Sequence, residues 1–202
     1  MKRLLLILAA ALAAAGLAGC ATGYLLDNQV QSYSHLTAVP APATYRFERL
    51  PSQQAMNPQQ SELEAQADVA LHKAGFRRDD ASPRYSVLVS ARAQRTLSPY
   101  SDPWDYGWGW GGWGWGGGHR RSIGVGFGGP LFPRMDPPWY HREVSLVVRE
   151  LASNRVVYET HAVNDGPWFD SRTVFPHMFE AALQGFPTPP AGPRRVDIRV
   201  DG

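Results

Sequence analysis

From Tyr85 to Gln94 the side chains change character at every step: Tyr85, Val87, Val89, Ala91 and Ala93 alternate with Ser86, Leu88, Ser90, Arg92 and Gln94. A period of two belongs to an extended strand with one buried face. The chain must therefore build a sheet and supply something to cover one side of it. Residues 142–151 and 155–163 continue the pattern, with Val144, Leu146 and Val148 in the first arm and Val156-Val157-Tyr158 opening the second. The short Ala152-Ser153-Asn154 link between them predicts an antiparallel hairpin. Thr44-Tyr45-Arg46-Phe47-Glu48 reads as a further strand, and Val196, Ile198 and Val200 allow a short final one.

Two segments change to helical spacing. Asn57-Pro58 is an N-cap followed by proline at the first helical position, and Leu63, Ala67, Ala70, Leu71 and Ala74 form a narrow apolar stripe before Gly75, a natural C-cap. This predicts a helix over 58–74, with Glu62, Glu64 and Asp68 on its polar face. Residues 172–185 place Phe175, Met178, Phe179 and Ala182 on one side, with Pro176 in the first turn, and close on Gly185-Phe186-Pro187. The resulting order gives an α+β fold: a two-layer domain with a mainly antiparallel sheet and two helices packed on one face.

A long Gly/Trp-rich loop is inserted in this plan. Residues 98–141 hold six of the seven tryptophans (Trp104, Trp108, Trp110, Trp113, Trp115 and Trp139) and twelve of the twenty glycines. Ordering glycine at nearly every second position is entropically costly, so its centre is not expected to form a packed core. Three readings stand side by side. The segment is a flexible insertion extending a sheet edge; it presents indoles to glycan rings or to lipid headgroups; or it orders against a partner protein. Gly124-Val125-Gly126-Phe127-Gly128-Gly129 lacks the Lys-Ser/Thr of a phosphate loop and opens no expected helix, so it gives no case for a nucleotide.

The N-terminus is a different kind of segment. Lys2-Arg3 precede an apolar run from Leu4 to Leu17, which is short for a membrane span but suits a signal peptide. It ends in Leu17-Ala18-Gly19-Cys20, which resembles the lipobox of bacterial lipoproteins. On that resemblance residues 1–19 are a leader cut between Gly19 and Cys20. Cys20 is the lipidation site, and its diacylglycerol and acyl groups hold the chain to a membrane. Ala21, rather than Asp, leans towards the outer membrane, so the expected place is its inner leaflet, facing the periplasm. Residues 20–43, with Pro40 and Pro42, read as the lipidated cysteine and a tether whose span is roughly 25 Å if flexible.

Charge excludes more than it suggests. With Lys2 and Arg3 in the leader, the remainder carries eighteen basic and eighteen acidic residues, which gives no case for nucleic acid. Cys20 is the only cysteine, so there is no internal disulfide and no cysteine-based zinc cluster. The six histidines (35, 72, 119, 141, 161 and 177) show no ligand spacing, and no Gly-x-Ser-x-Gly elbow is present. Asp79-Asp80 read as solvated loop acids, and His72 as solvated. No catalytic group, metal or cofactor is implied. A site assembled in space would have to come from His141, His161, Asp165, Asp170 and His177.

Taken in order, these residues resemble the DUF4136 family of bacterial lipoproteins. The pieces are the lipobox with Cys20, the Thr44-Tyr45-Arg46-Phe47 strand, the helix ending Ala74-Gly75-Phe76, and Tyr85-Ser86-Val87-Leu88-Val89 before a Gly/aromatic-rich loop. The hairpin around Leu146 and Val157-Tyr158 and the helix closing on Gly185-Phe186-Pro187 complete the set. Tyr158 stands where a tryptophan is expected of the family, and the Pro/Arg-rich tail 188–202 has no counterpart. The resemblance implies an α+β domain over 44–187 in an envelope lipoprotein of unknown function, and it implies no catalytic residues. The expected role is a non-enzymatic accessory or interaction module that contacts another envelope protein or a glycan. The alternative is a small-ligand or glycan binder using the Trp-rich loop or the scattered His and Asp residues.

Overall fold

A computed structural model describes residues 23–96, 98–99, 138–167 and 170–200. The fold is α+β, with a mixed seven-stranded sheet and three helices. The strands are β1 (Tyr24–Ser34), β2 (Thr44–Glu48), β3 (Arg77–Arg78), β4 (Tyr85–Thr96), β5 (Trp139–Glu150), β6 (Arg155–Gly166) and β7 (Arg194–Val200). The helices are α1 (Pro51–Ala55), α2 (Asn57–Lys73) and α3 (Ser171–Leu183). Across the sheet the strands run β3-β2-β4-β5-β6-β1-β7. The β4–β5, β5–β6, β6–β1 and β1–β7 pairs are antiparallel, whereas β2 is parallel to both β3 and β4.

The strongest alternations become the middle of the sheet. β4 and β5 pair from Tyr85↔Glu150 to Thr96↔Trp139, so Trp139, Tyr140 and His141 belong to β5 and not to a loop. β5 and β6 pair from Glu150↔Arg155 to Tyr140↔Gly166, with a register shift at Val148/Arg149. The turn between them is closed by Asn154 at φ 55°, a left-handed conformation that asparagine tolerates. Val87, Val89, Val144, Leu146, Val148 and Tyr158 are buried, as are Val174, Met178, Phe179 and Ala182 of α3. Phe76 links the two halves of this core, edge-on to Tyr45 and Tyr85 at 6.1 Å each and tilted against Phe186 at 5.2 Å. Gly75 makes the end of α2 possible at φ 99°: the amide of Phe76 bonds back to the Leu71 carbonyl at 3.0 Å, and that of Gly75 to His72 at 3.1 Å.

Five further expectations need correction. Residues 24–34 are no tether: they form β1, paired on one side with β6 and on the other with β7. The alternation there is disguised, because the inward residues are Leu26, Asn28, Val30 and Ser32, two of them polar. The domain also does not end at 187. β7 pairs with β1 from Tyr24↔Val200 to Val30↔Arg194, and the link before it is pinned by Arg194, which donates to Ser32 Oγ at 3.2 Å and to the Gln184 carbonyl at 2.7 Å. A third, short helix, α1, precedes α2. α3 begins at Ser171, which places Pro176 inside the helix rather than in its first turn.

The fifth correction concerns Glu64. It is not on a solvated face but buried, 3% exposed, because Arg49 grips it with Nε to Oε1 and Nη2 to Oε2 at 2.6 Å each. This two-pronged pair ties the chain leaving β2 to α2. Gln60 is buried beside it, and Gln53 and Gln60 both donate to the Val89 carbonyl, at 2.7 and 3.1 Å. β2 therefore stops at Glu48, opposite Leu88, and the chain turns away into α1.

The central place of β1 gives a direct check. A chain starting at Thr44, as the sequence boundary suggests, loses the strand between β6 and β7. It should show no cooperative thermal transition by circular dichroism, whereas a chain starting at Gly23 should unfold cooperatively.

Candidate functional site

The register brings several chain segments to one end of the sheet. Tyr24 opens β1, Thr96 closes β4 opposite Trp139, Gly166 closes β6 opposite Tyr140, and Val200 closes β7 opposite Tyr24. Asp170 caps α3 at the same end, its carboxylate accepting the Arg172 amide at 3.0 Å. Both roots of the Gly/Trp-rich segment and the start of the first strand thus share one edge of the domain. The half-buried aromatic residues Tyr24, Trp139 and Tyr140 stand along it.

Beneath that end lies a buried polar group of residues that alternation did not flag. Arg142 is fully buried on the inward face of β5, donating from Nε to Ser171 Oγ at 3.0 Å, with its guanidinium 4.9 Å from the Tyr140 ring centre. Burial pulls this guanidinium below the ordinary arginine range, while Tyr140, Asp170 and Tyr24 oppose the shift. Asn164 faces Arg142 across β5–β6 and donates to the Asp27 carbonyl at 2.7 Å. Asn28 donates to the Leu26 and Val196 carbonyls at 3.1 Å each. The Oδ1 atoms of Asn28 and Asn164 have no hydrogen-bond partner among the described residues. The signal for this group in the sequence was polar residues at inward positions of otherwise regular strands.

A second feature lies alongside. Where β2 stops, an open cleft of about 530 Å³ borders β4, lined by Leu50, Met56, Leu63 and Phe175 with Ser90 to Arg92 along one wall. Leu50 and Met56 are 48% and 56% exposed.

The scattered acid and histidine candidates are only partly joined. His141 Nδ1 and Asp165 Oδ1 are 2.9 Å apart on neighbouring strands, both well exposed. His161 stands four residues back along β6, opposite Ser145 and Gln31, on that same outward face. Asp170 lies at the start of α3 and His177 within it, and α3 packs against the inward residues of the sheet. Asp79 is a turn former, its carboxylate accepting the amides of Ala81 and Ser82 at 3.0 Å, and Asp80 pairs with Arg78 at 3.1 Å. His72 is exposed. Among the described residues no three His, Cys, Asp or Glu side chains come together as a metal-ligand set. No described helix is long and apolar enough to cross a membrane. Gly19, Cys20, Trp104, Trp108, Trp110, Trp113 and Trp115 lie outside the described residues, as does the 124–129 glycine run.

Comparison with known proteins gives a family and a set of distant folds. The model of the family "Domain of unknown function (DUF4136)" matches residues 29–188. No curated protein sequence matches the chain. Among solved structures, a PelC variant dodecamer from Paraburkholderia phytofirmans is 11% identical, with a TM-score of 0.44, over 77% of this chain and 94% of that one. A second PelC dodecamer from the same organism is 12% identical, with a TM-score of 0.44, over 80% and 99%. A PDZ domain protein from Parabacteroides distasonis is 11% identical, with a TM-score of 0.47, over 89% of this chain and 40% of that one.

The packing of Arg142 makes a testable statement about its role. A buried cation can often be exchanged for an apolar residue of similar size at no cost, whereas truncation leaves a cavity. Arg142→Met should therefore hold stability within about 1 kcal/mol of the parent, and Arg142→Ala should lower it by about 3 kcal/mol. Asp170→Ala should cost about 1 kcal/mol through the lost cap, and Asp170→Asn less. Urea unfolding followed by far-ultraviolet circular dichroism distinguishes the four.

Proposed function

Starting from the premise that the chain belongs to the DUF4136 family, whose domain carries no assigned activity, we propose that it is a lipid-anchored, periplasm-facing envelope lipoprotein acting as a non-enzymatic interaction module. The leader ends before Cys20, whose acyl chains sit in the inner leaflet of the outer membrane. Its two long helices cover one face of the sheet, and the Gly/Trp-rich segment is the contact element for another envelope protein or for glycan.

One observation carries this reading: β1 begins at Tyr24 and is paired from that residue onward. Three residues separate Cys20 from Tyr24, and the four extended steps between them reach at most about 14 Å. A domain anchored through Cys20 is therefore held against the bilayer surface with little free tether. The end it turns to the lipid is the one that roots the Gly/Trp-rich segment and carries Tyr24, Trp139 and Tyr140, residue types favoured at a membrane interface. Contacts made by the segment are then made in the headgroup layer or just above it. The glycan- or ligand-binding alternative would use the same indoles from the same position.

The test is metabolic labelling with an alkyne fatty acid. The parent should take up label and sediment with outer membranes, while Cys20→Ala should remain unlabelled and keep its leader. Equal labelling or equal processing of the two would remove the anchor from the reading. In the labelled cells, crosslinking of the parent should capture a specific envelope component that is lost on deleting residues 101–129. Capture unchanged by the deletion would remove the contact role of the segment.

A further inference from the structure

Several stretches of strand edge are exposed among the described residues, and they are not equivalent. β3 has only two residues. β7 carries its own neutralising charges: Arg195 pairs with Asp197 at 2.9 Å and with Asp27 at 3.0 Å. Short edge strands and charged edges are how sheets resist further pairing. The second half of β4, beyond the point where β2 turns away, is longer than β3 and carries charge only at Arg92 and Arg95.

The geometry of that stretch follows from Val89. Its carbonyl is taken by Gln53 and Gln60, which lie on the β2 side, so it points away from β5. In an antiparallel ladder the amide and carbonyl of one residue point to the same side, and every second residue does the same. Ala91, Ala93 and Arg95 therefore direct their amides and carbonyls outward, into the line that β2 has vacated. Ser90, Arg92, Gln94 and Thr96 direct theirs to β5, whose pairing runs unbroken to Thr96. No hydrogen bond on the outward side of 91, 93 or 95 is made by a described residue. The cleft lined by Leu50, Met56, Leu63 and Phe175 lies directly beside this row, on the helix side. Arg92 and Arg95 are exposed on opposite faces of the strand, Arg92 across from Glu143 of β5, and neither forms an ion pair among the described residues.

We propose that residues 91–95 of β4 accept an extended segment of a partner polypeptide, added to the sheet in line with β2. Main-chain bonds to Ala91, Ala93 and Arg95 supply the attachment. Alternate apolar side chains of the partner enter the cleft, and acidic residues between them lie on the opposite face of the sheet, where Arg92 projects. The cleft sets the apolar half of the preference and Arg92 the acidic half, as strand addition reads side chains at a period of two. The inference is independent of lipidation, so loss of the anchor leaves it standing.

The experiment uses the detergent-solubilised full-length protein and a fluorescent synthetic peptide, Glu-Val-Glu-Leu-Glu-Val-Glu. In the free protein, amide exchange should be fast at Ala91, Ala93 and Arg95 and slow at Arg92 and Gln94. Peptide addition should slow the odd set by at least tenfold. Fluorescence polarisation should show binding that falls at least tenfold when alternate peptide amides are N-methylated or when lysine replaces glutamate. Ala93→Pro removes one outward amide without touching a β5 bond and should have the same effect. Met56→Asp, whose side chain is already exposed, should weaken binding without unfolding the domain. Odd amides already slow in the free protein would mean that the chain covers its own edge, and would overturn the proposal. So would the absence of binding, binding indifferent to N-methylation, or concentration-dependent dimerisation that Ala93→Pro abolishes.

Discussion

The double pairing of β1 is the constraint on which the arrangement of this protein depends. A strand held by β6 on one side and β7 on the other cannot shift or peel without opening both ladders. Its register therefore sets where the chain enters the domain. That entry point coincides with the roots of the Gly/Trp-rich segment, the cap of α3 and the last residue of β7. Side chains lock the same register, since a slip of one residue would turn Asn28 and Ser32 outward. Ser32 and Thr160 share a hydroxyl bond at 2.8 Å, and Thr160 donates onward to the Ala182 carbonyl at 2.8 Å. The sheet, the end of α3 and the link to β7 are tied at one point.

The same interactions explain what could and could not be read from the residues alone. β4, β5 and β6 were legible because their inward positions are chiefly Val, Leu, Ala and Tyr, and a period of two in apolar residues has one interpretation. α2 and α3 were legible from their stripes and stops, to within two residues at each end. β1 was not, because Asn28 and Ser32 take two of its four central inward positions, and polar residues there look like a linker until their partners, 128 to 168 residues away, are known. β7 was only half legible, its flanks of Pro and Arg resembling a tail. Arg194 is in fact a cross-link between Ser32 and Gln184.

The candidate site was hidden for a related reason. Sequence patterning assigns charge to water, so Glu64 reads as a surface residue and Arg142 gives no signal of its burial. Burying a charge is costly unless it is paired and hydrogen-bonded. Glu64 meets that condition with the fork of Arg49, a planar match that lysine could not supply. Arg142 is held, among the described residues, by Ser171, the Tyr140 ring and the field of Asp170. Truncating Glu64 would strand the Arg49 guanidinium that grips it. Residues kept at such positions are the ones whose purpose has to be sought outside stability.

The Arg49–Glu64 pair also has a consequence for the sheet as a whole. By drawing the chain away from β4 after Glu48, it shortens β2 to five residues beside a neighbour of twelve. A β2 continued to the end of β4 would have closed the edge and filled the cleft. The two glutamines on Val89 cap only the first carbonyl beyond the break. Among the described residues the result is a sheet whose far edge is neutralised by its own charges and whose β4 edge is open beyond Val89, with small residues at Ala91 and Ala93 where an approaching backbone needs room. Selection against aggregation disfavours an unprotected edge on an exposed strand. The buried, geometrically exacting Arg49–Glu64 pair is thus what sets the length of β2 and leaves the line beside Ala91 and Ala93 vacant of β2.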